Sequence, residues 1–83
     1  MKKITIQDIQ NLKNQGSPFA TITAYDYLSA QIVDEANIPL ILVGDSASMT
    51  IYGYSTTVPI SMSELLLVTK AVIRGVKYSL VVA

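Results

Sequence analysis

A carboxylate and a hydroxyl, Asp45 and Ser46, directly follow an uninterrupted apolar run at residues 40–43 and precede a polar loop. Because the run does not alternate apolar with polar residues, we expect a strand buried on both faces, as in a parallel sheet. Open α/β sheets and (β/α)8 barrels place their active sites at the carboxyl ends of such strands. A carboxylate there can bind a divalent cation, and a hydroxyl can orient a ligand. The alternative is that both residues only form and cap a turn.

The composition limits what other chemistry the chain can supply. It contains no cysteine and no histidine, which excludes disulfides, thiolate zinc sites and Ser-His or Cys-His nucleophiles from this chain. Six basic and six acidic residues balance and are scattered, so no basic stripe favours nucleic acid or an anionic membrane surface. No apolar run approaches the roughly 18 residues of a membrane span. Polar residues follow Met1-Lys-Lys where a signal peptide would need an apolar core, so we expect a cytoplasmic protein.

The first half of the chain predicts helix, strand and helix. Thr5 and Asp8 have the spacing of a capping box, which predicts a helix that ends before Gly16. Residues 19–24 are rich in β-branched and apolar side chains and predict the first strand. Residues 26–36 then predict a second helix with an apolar side.

The second half contains a long loop and a third helix. Residues 46–60 have no clear hydrophobic period and predict an irregular stretch. Irregular stretches of this length are usually functional or disordered. Ser61 and Glu64 form a second capping box and predict a helix over residues 62–74, with Gly75 at its C′ position. Five residues are expected on its buried face: Leu65, Leu66, Val68, Ala71 and Val72.

Residues 79–83 predict a third buried strand, which completes a strand-helix-strand-helix-strand order. This order is typical of successive βαβ units, so residues 40–43 should pair in parallel with both other strands. Half of the residues are apolar, which suits part of a larger body better than a small separate domain. We therefore expect residues 1–83 to be one α/β unit, truncated after its third strand.

Several blocks of sequence together resemble the amino-terminal third of the ketopantoate hydroxymethyltransferases. The resemblance runs from about Thr5 to the last residue, in the family's order and without obvious gaps. The blocks are Thr21-Ile-Thr-Ala-Tyr-Asp26, Leu42-Val-Gly-Asp-Ser46 with Met49, Gly53 and Thr57-Val-Pro59, and Lys70-Ala-Val with Arg74-Gly75. The resemblance implies that the α/β units are the opening units of a (β/α)8 TIM-type barrel, with the first helix preceding the barrel.

The resemblance also implies an activity. Members of the family transfer a hydroxymethyl group from 5,10-methylenetetrahydrofolate to 3-methyl-2-oxobutanoate, giving ketopantoate on the route to pantothenate and coenzyme A. It implies that Asp45 is a ligand of Mg²⁺ and contacts the chelated substrate, and that Ser46 holds the substrate carboxylate. Tyr25 is a further candidate for substrate binding, with side-chain packing as the alternative. Gly44 would let the backbone approach the ligand, whereas Asp26 is also a good helix cap.

Some positions depart from the family's pattern. The loop Gly53-Tyr-Ser-Thr-Thr57 stands where relatives usually have Gly-His-Asp-Ser-Thr, Ser48 replaces a glycine, and Val68 replaces a histidine. Thr57 keeps the family's residue and could cap the loop. Lys70 and Arg74 are expected to be solvated charges at a helix end.

By the same resemblance, a second metal-binding aspartate, a lysine, glutamates and the general base would follow Ala83. We therefore expect no catalytic residue within this chain and no activity from it alone, although intact relatives are expected to form homo-oligomers. Two alternatives remain: a non-catalytic chain that associates with a partner protein, and another Mg²⁺-dependent 2-oxo acid barrel of the phosphoenolpyruvate mutase or isocitrate lyase type. The blocks ending at Asp26 and Ser46 argue against the second.

Overall fold

The computed structural model describes residues 2–83 and contains four helices and three strands. No helix in this part of the chain is both long and apolar enough to cross a membrane. The elements in chain order are α1 (Ile6–Asn14), β1 (Thr21–Thr23), α2 (Tyr27–Glu35), β2 (Leu40–Leu42), α3 (Ala47–Thr50), α4 (Met62–Gly75) and β3 (Leu80–Val82).

The three strands form one parallel sheet in the order β1-β2-β3, as the strand-helix-strand pattern predicted. Ile41 of β2 stands between Ile22 of β1 and Val81 of β3. β1 is shorter than the strand predicted at residues 19–24, because its ladder with β2 runs only from Thr21 to Thr23. Pairing continues one residue further, where the N–H of Ala24 donates to the carbonyl of Leu42 at 3.3 Å.

Helices α2 and α4 pack on one face of the sheet and form the core with it. The buried apolar cluster consists of Ala24, Ala30, Ile41, Val43, Val68 and Val72. On the opposite face Leu42 and Val82 remain 40% and 42% exposed. The expectation that residues 40–43 are buried on both faces is therefore wrong for the described residues, because no second layer among them packs on that face.

Both predicted capping boxes are present. Thr5 Oγ1 accepts from the N–H of Asp8 at 3.2 Å and the Thr5 N–H donates to Asp8 Oδ2 at 2.8 Å. Ser61 and Glu64 exchange the same pair of bonds, at 3.1 Å and 3.0 Å. These local contacts fix where α1 and α4 begin. They do not bury α1, none of whose residues is in the core.

Two predictions about α4 are wrong. Gly75 is the last residue of the helix rather than a left-handed C′ residue, and Val76 is the C-cap. Gly75 is buried because α2 approaches it closely: a Cβ added there would lie 2.6 Å from the carbonyl oxygen of Tyr27. Leu66, expected on the buried face, is 51% exposed, because the buried stripe follows Val68, Val72 and Gly75.

The buried carboxylate of Asp34 joins α2 to the segment that leads into β3. Its oxygens accept from the backbone N–H groups of Lys77, Tyr78 and Ser79 at 2.9, 3.1 and 2.8 Å, and from Ser79 Oγ at 2.9 Å. Burial alone raises the pKa of Asp34, but the N–H donors of Ser79, Lys77 and Tyr78 outweigh it and hold the pKa below its usual value. Asp34 therefore stabilises the fold as a carboxylate.

Candidate active site

The carboxyl ends of β1 and β2 bring Tyr25 and Ser46 together. The Tyr25 hydroxyl is hydrogen-bonded to Ser46 Oγ, and both residues are half-buried. The ring of Tyr25 packs against the core cluster, and this packing holds the Tyr25 hydroxyl in place for the contact. Two residues that the sequence singled out separately thus form one pair across neighbouring strands.

Asp45 precedes this pair in the chain and is exposed. Its backbone carbonyl accepts from the N–H of Ser48 at 2.9 Å, which turns the chain into α3. Within residues 2–83 no group donates a hydrogen bond to its carboxylate, and Ser46 makes no side-chain cap at the start of α3. The side chains of Asp45 and Ser46 therefore do not cap this turn, which leaves the carboxylate accessible from solvent.

Residues 46–60 are more ordered than the sequence indicated, because α3 occupies part of this stretch. Ser48 is fully buried, and its hydroxyl donates to the carbonyl of Thr56 at 2.7 Å. The Ser48 carbonyl accepts from the N–H of Tyr54 at 2.9 Å. Ser48 thus ties the following loop to the helical turn that begins beside Asp45, a role that a glycine side chain could not perform.

Two exposed tyrosines place the same loop against the start of α4. Tyr54 Oη donates to Glu64 Oε2 at 3.3 Å, and Tyr52 Oη donates to the Glu64 carbonyl at 3.4 Å. The negative charge of Glu64 raises the pKa of Tyr54 above its usual value. Because these groups are exposed, their contacts are weak, and the partly buried hydrogen bond of Ser48 contributes more to the order of the loop.

The other residues that the sequence singled out either form caps and turns or lie exposed on the surface. Asp26 caps α2, with Oδ1 accepting from the N–H of Ser29 at 2.8 Å. In the loop, Thr56 rather than Thr57 caps a turn, since its hydroxyl accepts from the N–H of Val58 at 3.3 Å. Lys70 and Arg74 are exposed on α4, as expected.

The donors at this edge can supply part of a metal site. No group of three or more acidic side chains that could hold a metal ion occurs among residues 2–83. Mg²⁺, however, is commonly bound by one or two carboxylates, with waters and substrate oxygens completing its coordination. An exposed carboxylate without a hydrogen-bond partner among the described residues, as at Asp45, fits one such position. The remaining protein ligands would have to come from elsewhere.

Two cavities lie away from this edge. One of about 230 Å³ is lined by residues that include Asp34 and Lys77, and one of about 220 Å³ by residues that include Ile73 and Val81. Asp45 and Ser46 line neither cavity. Neither of these cavities is therefore a candidate for the site at the carboxyl edge of the sheet.

Sequence reasoning missed Asp34 and the buried role of Ser48. A signal for Asp34 was available, because it lies four residues after Ala30 and so on the same face of α2 as a core residue. A carboxylate in an apolar stripe implies a set of donors that neutralises the cost of burial. Ser48 gave no comparable signal, since its partner depends on the path of the loop.

Comparison with known proteins identifies the family. A family model described as ketopantoate hydroxymethyltransferase matches residues 3–83. The chain is 50% identical over 80 residues to a 3-methyl-2-oxobutanoate hydroxymethyltransferase of Chloroflexus aurantiacus, which aligns 96% of this chain with 28% of the relative. For the Mycobacterium leprae protein of the same name the identity is 51% over 81 residues, with 98% and 28% aligned.

A Mycobacterium bovis relative of the same name is 52% identical over 81 residues, which are 98% of this chain and 29% of the relative. The chain thus spans less than a third of the length of the curated relatives that it matches. Nearly every residue of the chain takes part in these matches, including both strand ends that form the candidate site. The chain belongs to the ketopantoate hydroxymethyltransferase family.

Proposed function

We propose that this chain supplies the amino-terminal part of a 3-methyl-2-oxobutanoate hydroxymethyltransferase, folded as the opening units of a (β/α)8 barrel. The whole reaction transfers a hydroxymethyl group from 5,10-methylenetetrahydrofolate to 3-methyl-2-oxobutanoate, in the pathway to pantothenate and coenzyme A. The proposal is supported by family membership and by the parallel order β1-β2-β3 with helices between successive strands. The observation that carries it is the exposed carboxylate of Asp45 beside the Tyr25–Ser46 pair at the carboxyl edge.

In this proposal Asp45 is a ligand of Mg²⁺. The Asp45 carboxylate is exposed and accepts no hydrogen bond from the described residues, so it is available to a hard cation without breaking a contact among them. When bound, the cation would stabilise negative charge as it develops on the 2-oxo acid. Related divalent ions such as Mn²⁺ would suit the same oxygen donors.

Ser46 holds the carboxylate of the 2-oxo acid in this proposal. Ser46 directly follows Asp45 in the chain. One ligand can therefore contact both side chains if the carboxylate and 2-oxo groups of that ligand are adjacent. A short hydroxyl donor fixes orientation and contributes little area. Ser46 is therefore assigned to substrate binding and not to proton transfer.

Proton abstraction is assigned to residues outside this chain. Among the described residues this edge of the sheet has two exposed carboxylates, and because Asp26 is engaged in capping α2, only Asp45 remains without an internal partner. One group cannot both bind the cation and act as the general base. The chain alone is accordingly proposed to be inactive, whereas the complete enzyme would act in the cytoplasm as a homo-oligomer.

A second proposal, association of the chain with a partner protein, rests on the uncovered face of the sheet. Leu42 and Val82 are 40% and 42% exposed on neighbouring strands. An apolar sheet face of this kind favours burial against another surface. The two proposals are compatible, because the remainder of a barrel would bury the same face.

The test uses a hybrid in which residues 1–83 are joined to the remainder of the Mycobacterium bovis relative. We expect hydroxymethyl transfer from the unsubstituted hybrid and a loss of at least about tenfold in turnover for Asp45→Asn, partly restored by raised Mg²⁺. Ser46→Ala should instead raise the KM for 3-methyl-2-oxobutanoate, and Lys70→Gln should match the unsubstituted hybrid. A hybrid without transfer activity, or full activity in Asp45→Asn, would contradict the proposal.

A further inference from the structure

We propose that Tyr25 is a positioning residue, which orients the hydroxyl of Ser46 toward the carboxylate of a 2-oxo acid and does not itself contact the substrate. The inference rests on the proposed function, because it concerns how the proposed substrate-binding serine is held. It follows from the contact between Tyr25 Oη and Ser46 Oγ at the ends of β1 and β2.

The two partners differ in how firmly the fold holds them. The ring of Tyr25 packs against the core cluster, and its chain neighbour Ala24 is only 2% exposed. The position of its hydroxyl is therefore set by ring packing. The hydroxyl of Ser46 can rotate about its Cα–Cβ bond, and α3 gives it no capping partner. Tyr25 is thus the fixed member of the pair, and it restricts the rotation of Ser46.

When an anion is bound, the number of hydroxyl protons determines which member of the Tyr25–Ser46 pair donates the hydrogen bond. Each hydroxyl has one proton and can accept through its oxygen. If Tyr25 donates to Ser46 Oγ, the proton of Ser46 remains available to a carboxylate. The reverse bond would use that proton and turn lone pairs toward the anion. An anion beside Ser46 therefore selects a chain from Tyr25 through Ser46 to the carboxylate, in which each hydrogen bond strengthens the next.

The neighbouring Tyr27 provides a matched control. It lies two residues away, is 46% exposed, and its hydroxyl accepts from the side chain of Gln31 at 3.0 Å. Its removal therefore eliminates a tyrosine hydroxyl with one hydrogen bond and leaves Ser46 unchanged. A general effect of Tyr→Phe substitution in this segment would appear at both positions.

The experiment compares Tyr25→Phe and Tyr27→Phe in the hybrid of residues 1–83 with the remainder of the Mycobacterium bovis relative. For Tyr25→Phe we expect the KM for 3-methyl-2-oxobutanoate to rise about three- to tenfold, as for loss of one hydrogen bond. Its kcat should change less than about twofold, and its Mg²⁺ dependence should be unchanged. Tyr27→Phe should match the unsubstituted hybrid. Thermal unfolding of each variant identifies a loss of folded protein.

A double-substitution cycle separates positioning from direct contact. In the Ser46→Ala background Tyr25→Phe should have no further effect on KM, because the hydroxyl that it orients is absent. An undiminished effect in that background, or an unchanged KM in Tyr25→Phe alone, would overturn the inference. Failure of the proposed function would appear earlier, as an unsubstituted hybrid that neither binds 3-methyl-2-oxobutanoate nor transfers the hydroxymethyl group, and it would overturn this inference too.

Discussion

Gly75 of α4 lies directly against the backbone of Tyr27 in α2. A Cβ added at Gly75 would be 2.6 Å from the Tyr27 carbonyl oxygen and 3.1 Å from the Cβ of Ala30. Backbone atoms cannot move aside as the end of a side chain can, so the two helices can keep this separation only if position 75 has no side chain. The contact limits how closely α2 and α4 can approach each other.

Gly75→Ala should therefore destabilise the hybrid. Overpacking of a core costs about 1–3 kcal/mol, and the gain in helix propensity from Gly to Ala returns up to about 1 kcal/mol. We expect a net loss of about 1–2 kcal/mol in the free energy of unfolding, measured by urea denaturation. Gly44→Ala is the control, because its added Cβ would have its nearest contact, with the Leu42 side chain, at 4.0 Å. Equal stability of the two variants would contradict this account of helix packing.

Asp34→Asn should destabilise the hybrid at neutral pH. The amide would place a donor among the N–H groups that the carboxylate now accepts, at a cost of about 2–3 kcal/mol. Asp26→Asn is the control, since asparagine caps helices about as well as aspartate. A free energy of unfolding that is equally lowered in both variants would contradict a special role for Asp34.

The pH dependence of Asp34 follows from the same contacts. Its pKa is lower in the folded chain than the usual 3.8, so its contribution to stability is complete above that value and is lost as the pH falls through the folded pKa. The stability difference between the unsubstituted hybrid and Asp34→Asn should therefore shrink on acidification. Urea denaturation at a series of pH values measures it, and a difference that grew at low pH would contradict this assignment.

Ser48→Ala should loosen the loop that follows α3. It removes the bond to the Thr56 carbonyl, whose loss should speed hydrogen exchange of the Tyr54 amide about three- to tenfold. Cleavage by chymotrypsin after Tyr52 and Tyr54 should increase in parallel. Ser55→Ala is the matched control, because Ser55 is exposed. Unchanged exchange in Ser48→Ala would show that the loop is held by other contacts.

Local patterns predicted the parts of the fold that depend on neighbours in the sequence. The starts of α1 and α4 were predictable because each has a capping box, whose two residues satisfy backbone N–H groups within one turn. The boxes are Thr5 with Asp8 and Ser61 with Glu64. The parallel strand order also followed, since apolar strands separated by helices leave few alternatives. The predicted role of Gly75 failed because its neighbour Tyr27 is distant in the sequence.

The candidate site was predictable in position but not in detail. Tyr25 and Ser46 end adjacent strands, so their proximity follows from the parallel sheet, whereas their mutual hydrogen bond depends on side-chain geometry. The exposure of Leu42 was not predictable, because an uninterrupted apolar run does not say which layers lie on the two faces. Ser48 found its partner only through the folded path of the loop.

The central claim is that Asp45 is a metal ligand, and metal binding tests it most directly. Mn²⁺ provides a spectroscopic substitute for Mg²⁺ at oxygen sites, so its affinity can be measured by electron paramagnetic resonance in the hybrid without turnover. We expect Asp45→Asn to weaken Mn²⁺ binding by at least about tenfold, since the ion loses an anionic ligand while side-chain size is nearly kept. Asp26→Asn, at an aspartate that caps α2, should bind Mn²⁺ as the unsubstituted hybrid does. An unchanged affinity in Asp45→Asn would contradict the account.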